Sequence, residues 1–103
     1  MKHLFTIHPE ARREVLEGIA YLEEQRPGYG NLFNEKVDEA ISRILENPTR
    51  YPKANMEGTR HRILLDKPFH KTWSIFYDFD GEMVYIISVF NNRRSTQVWE
   101  ERE

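Results

Sequence analysis

The chain has 103 residues, 15 Lys+Arg against 17 Asp+Glu for a formal net charge of −2, and no cysteine. That length suits one domain, residues 1–103, with a single core, and the missing cysteines exclude a disulfide framework or a thiolate metal site and point to a reducing cytoplasm. The charge balance excludes nucleic-acid binding by bulk charge alone, and no apolar run approaches the length of a membrane span.

In chain order, Met1 to His8 is too short and too soon followed by charge for a signal peptide, and Lys2 to Ile7 reads as a strand. Pro9 suits the first position of a helix, where its missing N–H costs nothing, and Glu10 favours the positive end of the helix dipole. Ala11, Val15, Ile19 and Leu22 recur at helical spacing with Leu16 beside them, until Pro27-Gly28 stops the helix. A second helix, Tyr29 to Glu46, carries Phe33, Val37, Ala40, Ile41 and Ile44 on one side and ends at Asn47-Pro48. The acidic residues of both helices, Glu14 among them, read as solvated faces. Thr49 to Gly58 is a loop. Thr59 to Leu65 alternates, with His61, Ile63 and Leu65 on one face and Arg60, Arg62 and Leu64 on the other. Asp66-Lys67-Pro68 turns the chain into a second alternating strand, His70 to Phe79. Asp80-Gly81 is a strong hairpin signal, and Met83 to Phe90, apolar at nearly every position, fits a central strand covered on both faces. It delivers the polar run Asn91-Asn92-Arg93-Arg94.

The order strand, helix, helix, strand, strand, strand predicts an α+β fold, β-α-α-β-β-β, with a helical hairpin on one face of an antiparallel sheet of about four strands. Burial sets the register: Ile63, Leu65, Trp73, Ile75 and Tyr77 should face the helices, leaving Arg60, Arg62, Thr72, Ser74 and Phe76 on an open face. Charge follows the same division. Residues 1–58 hold eight basic and ten acidic side chains, whereas residues 59–99 hold six basic and four acidic. The open face thus mixes arginines with Phe76 and Phe90, a combination suited to a partner with acidic and apolar residues. The bland alternative is that Arg60 and Arg62 are ordinary solvated strand residues and that Trp99 packs the C-terminus back onto the sheet. His3 and His8 without a third ligand make a poor metal site, and there is no glycine-rich phosphate loop, nucleophile triad or catalytic carboxylate pair.

The element order, Asn47-Pro48 followed by Tyr51-Pro52, the basic strand Arg60-His61-Arg62, the Ile75-Phe76-Tyr77 strand, the apolar strand running into Arg93-Arg94, and Trp99 together resemble the RelE/ParE superfamily of toxins from type II toxin–antitoxin pairs. The resemblance spans nearly the whole chain. It implies a small α+β toxin neutralised by an extended antitoxin segment, acting either as a ribosome-dependent mRNA endoribonuclease or as a ParE-like, non-enzymatic inhibitor of DNA gyrase. A non-toxic interaction domain of the same fold is the third reading. Under the nuclease reading, Arg60 and Arg62 match two alternating basic residues of the family's second strand, and Arg93 with Trp99 matches an Arg six residues before an aromatic. Ser74 stands where the family has a basic residue, with Lys71 or His70 as substitutes, and Trp99 stands where its ribonuclease has Tyr.

Such cleavage needs no metal or cofactor. The attacking 2′-OH requires a base, the phosphorane requires cations, and the leaving 5′-oxygen requires an acid. Arginines supply the cations but are too basic to exchange protons, which leaves His61, His70 or Lys71 for that task. The catalytic candidates are therefore Arg60, Arg62, His70, Lys71, Arg93 and Trp99. The candidates for antitoxin binding are Arg60, Arg62, Phe76, Phe90 and Arg94.

Overall fold

The computed structural model describes residues 3–53 and 60–92. Its elements are β1 (Leu4–Ile7), α1 (Pro9–Gln25), α2 (Tyr29–Glu46), β2 (His61–Leu64), β3 (Trp73–Phe79) and β4 (Met83–Asn91). This is the expected order, and α2 has the expected bounds. Helix α1 starts where Pro9 allows it, and the His8 imidazole caps it by accepting from the Glu10 N–H at 3.0 Å. At the other end of the hairpin Gly28 adopts φ 92°, a left-handed turn that a side chain would strain. The Glu23 carboxylate then accepts from the Gly28 and Gly30 N–H groups, placing an anion at the N-terminus of α2.

The apolar stripes of both helices meet one face of the sheet. Phe33, fully buried, packs its ring against Trp73 at 4.7 Å between centroids and against Phe69 at 5.4 Å. Around it lie Val37, Ala40, Ile44, Ile63, Leu65, Ile75, Tyr77, Val84, Ile86 and Val89, so all five strand residues assigned to the core face belong to this core. Gly18 permits the close approach of α1. A Cβ there would stand 2.8 Å from the Phe33 ring and 3.2 Å from Trp73. Leu16 departs from its expected stripe, turning outward with 60% of its surface exposed.

The sheet order is β1-β4-β3-β2. Strands β2, β3 and β4 pair antiparallel as expected, whereas β1 lies parallel to β4, so the sheet is mixed. The physical reason is that β1 is joined to the other strands through both helices, a crossover connection long enough for parallel pairing, and takes the free edge of β4. Between β3 and β4 the register shifts at Phe76/Tyr77, where Phe76 opposes Ser88 and Tyr77 opposes Ile86, a β-bulge that inserts Ile87. Strand β3 begins at Trp73 rather than His70, because residues 66–72 form turns in which the Phe69 carbonyl receives the Thr72 and Trp73 N–H groups.

The hairpin between β3 and β4 is set by Asp80, whose carboxylate accepts from the Met83 and Glu82 N–H groups at 2.8 and 2.9 Å and from the Tyr85 hydroxyl. These bonds, the Met83 N–H first, hold the Asp80 carboxyl below its usual range. A depressed folded-state pKa contributes stability that is complete above the unfolded value, about pH 4, and is lost as pH falls through the folded one. Asp80→Ala is therefore expected to flatten the acid limb of the stability–pH curve below about pH 4, measured by urea unfolding across pH. An unchanged acid limb would refute this role.

Candidate functional site

Arg60 and Arg62 leave the sheet on the face opposite the helices, as their alternation predicts, but their surroundings differ. The Arg60 guanidinium grips Asp78 on the neighbouring strand, Nε to Oδ1 at 3.2 Å and Nη2 to Oδ2 at 3.3 Å, in a partly buried two-point ion pair. Its charge is thereby offset. Arg62 is exposed and, among the described residues, meets neutral acceptors: its Nε donates to Ser74 Oγ at 3.1 Å and its Nη2 to Asn92 Oδ1 at 3.3 Å. Beneath it the Phe76 ring lies 5.7 Å away, close enough for a cation–π contact. Ser74, fully buried, donates its hydroxyl to the same Asn92 Oδ1 at 2.7 Å.

Asn92 joins three segments. Its N–H donates to the Thr72 carbonyl at 2.7 Å and its amide Nδ2 faces the Lys71 carbonyl at 3.4 Å, so the end of β4 is fastened to the turn that carries His70 and Lys71. His70 and Lys71 thus come to the same end of the sheet as Arg62. Lys71 is exposed, and His70 Nδ1 is buried without a hydrogen-bond partner. His61, the other candidate proton carrier, points to the opposite face. Its Nδ1 donates to the Tyr51 carbonyl at 2.7 Å and its ring stacks on Tyr77 at 5.0 Å, so it is committed to structure away from Arg62.

Two expectations change here. Phe76 and Phe90, expected on an open face, are each only 3% exposed, and the two rings meet edge to face at 5.8 Å, with Arg62 above Phe76. Burial of two aromatic rings on this side is worth several kcal/mol, which a solvent-facing arrangement would forfeit. Glu14 is not a solvated helix residue. It is 7% exposed and its Oε1 accepts from the Ser88 hydroxyl at 3.0 Å and the Val89 N–H at 3.1 Å, beside the bulge. Glu14 lines a cleft of about 190 Å³ with Glu17, Gly18, Tyr21, Trp73, Val89 and Asn91. Arg93, Arg94 and Trp99 lie outside the described residues.

Sequence reasoning missed Asn92 and Glu14. Asn92 stood only as part of a polar run, and its signal was its position directly after a central strand. Glu14 had no signal, since the bulge it serves is a product of strand pairing. No group of three or more His, Cys, Asp or Glu side chains among the described residues is arranged to hold a metal ion, and no described helix is long and apolar enough to cross a membrane.

No family model matches the chain. No curated protein matches it either. Among solved structures it is similar to the E. coli toxin RelE, determined as a double arginine mutant in the free state, with a TM-score of 0.62 over 98% of this chain and 94% of that one at 19% identity. The two helices, the four-stranded sheet and their order define a RelE-like fold.

Proposed function

We propose that this protein is the toxin of a type II toxin–antitoxin pair and acts as a metal-independent endoribonuclease on mRNA in translating ribosomes. The observation that carries the reading is the patch at one end of the sheet. In a chain of RelE-like fold, exposed Arg62 has no carboxylate partner among the described residues and is tied through Asn92 to the turn bearing His70 and Lys71. In the proposed reaction the 2′-oxygen forms a bond to phosphorus and the phosphorus–5′-oxygen bond breaks. The 2′-OH proton passes to a base, and an acid protonates the departing 5′-oxygen. Arg62 offsets charge on the phosphorane, with His70 or Lys71 as the proton carrier. Arg93 and Trp99 enter by resemblance, as a second cation and a stacking surface for a base. The reading places the protein in the cytoplasm, with an antitoxin whose acidic residues cover the Arg62 end of the sheet and the stretch from Arg93 to Arg94.

A second reading, inhibition of DNA gyrase without cleavage, is favoured by one observation: a buried serine, Ser74, occupies the third strand where the nuclease pattern has a basic residue. Expression without an antitoxin is expected to arrest growth, and co-expression of the cognate antitoxin to restore it. Mapped mRNA 5′ ends and a gyrase supercoiling assay with purified protein separate the two mechanisms. Normal growth at high folded expression, in a laboratory host and the native one, would reject both.

A further inference from the structure

Arg60, just before β2, and Arg62, within it, are held in chemically opposite ways. Arg60 is engaged by a carboxylate, whereas Arg62 is engaged by a hydroxyl and an amide oxygen. The hydrogen-bond directions around Arg62 follow from donor counting. Arg62 Nε can only donate, so Ser74 Oγ accepts there and spends its own proton on Asn92 Oδ1. Asn92 keeps its oxygen towards both donors because its Nδ2 end faces the Lys71 carbonyl. The guanidinium is thus fixed at two of its five N–H groups by acceptors that carry no charge, over the Phe76 ring. A carboxylate in either place would fix it equally well and cancel its charge.

We propose that Ser74 and Asn92 are positioning residues that preorganise Arg62 as a fully charged phosphate-binding group for single-stranded RNA. The proposal rests on the ribonuclease reading for the identity of the ligand, but the anion site itself stands on the geometry. Ser74 then does not merely lack a cation. It converts the third-strand position from a second charge into a holder for Arg62. Preorganisation lowers the ordering cost of binding, and neutral acceptors preserve the electrostatic term that makes phosphate binding depend on salt.

The test combines RNA affinity as a function of salt with NMR of the Arg62 Nε–H in the full chain, using a short single-stranded RNA and inorganic phosphate as probes. Arg62→Ala is expected to weaken RNA binding and reduce the salt slope by roughly 0.7, the share of one phosphate contact on a single strand. Asn92→Asp should do the same while the fold and the Arg62 contact persist, because it supplies the carboxylate that the native site avoids. Asn92→Ala and Ser74→Ala should weaken binding about fivefold each with the slope unchanged, the loss of roughly one net hydrogen bond. A merely structural Asn92 would leave the slope of Asn92→Asp at the native value, and that result overturns the proposal. If the Arg62 Nε–H responds to phosphate but no RNA binds, the positioning role stands as an anion site and the nucleic-acid ligand is rejected. If that resonance is indifferent to phosphate at every concentration that leaves the protein folded, the site is rejected outright. Should Asn92→Asp fail to fold, Asn92→Ala and Arg62→Ala alone decide by their contrasting slopes.

Discussion

His70→Ala is expected to slow mRNA cleavage by a factor of ~10² to 10⁴, the usual cost of losing one positioned acid or base. The expectation comes from eliminating the other proton carriers near the sheet end. Guanidinium groups are too basic to give up a proton. The Tyr77 hydroxyl donates to the Pro48 carbonyl at 2.6 Å, and burial pushes its pKa well above the ordinary tyrosine value. His61 faces away and is engaged by the Tyr51 carbonyl. Among the described residues what remains is His70, whose Nδ1 is buried without a structural partner, and exposed Lys71. Removing an imidazole whose buried Nδ1 has no hydrogen bond to the fold costs no such bond there, so the variant should melt close to the parent. Single-turnover cleavage in a reconstituted translating system measures the effect, with Lys71→Ala beside it. Cleavage that survives loss of both side chains would show that the proton carrier lies elsewhere.

Glu14→Ala is expected to lose about 3 kcal/mol of stability, a fall in Tm of roughly 10–20 °C for a domain of this size. The bulge between Phe76 and Tyr77 turns the Val89 N–H and the Ser88 hydroxyl towards α1, and both donate to the Glu14 carboxylate in a site only 7% exposed. Truncation strands two buried donors, and hydrogen bonds to a charged acceptor are stronger than those between neutral groups. Glu14→Gln keeps an acceptor oxygen of the same shape and should lose less than half as much. A cycle with Ser88→Ala isolates the side-chain bond from the backbone one. A loss below ~1 kcal/mol for Glu14→Ala would mean that water entering the adjacent cleft replaces the carboxylate, because the cleft is wide enough to admit it.

The two predictions differ in how much of their basis could be read before folding. His70 and Lys71 were candidates from residue chemistry alone, whereas the reason to prefer His70 appears only once His61 is seen on the other face. Arg60 and Arg62 share a face by simple alternation. Their separation into an ion-paired and an unneutralised arginine required the register, which sets Asp78 beside Arg60 and Ser74 beside Arg62. The sequence carried part of that signal, since Asp78 and Ser74 alternate onto one face of the same strand. Phe76 is buried on the face that alternation leaves open, because strand alternation reports which face a side chain takes and says nothing of what covers that face.

By itself the sequence determined the elements and the inward faces. Pro9, Pro27-Gly28, Asn47-Pro48 and Asp80-Gly81 act through local backbone sterics, and the helical and strand periods act through burial of the nearest apolar surface, so both can be read from neighbours a few residues apart. Only the tertiary structure decided that β1 runs parallel beside β4, that a bulge at Ile87 demands the Glu14 carboxylate, and that Asn92 binds Arg62 to the turn of His70 and Lys71. The Glu14 contact alone joins residues 75 positions apart. No local preference encodes these contacts, because their free energy is gained only after the chain between has already been ordered.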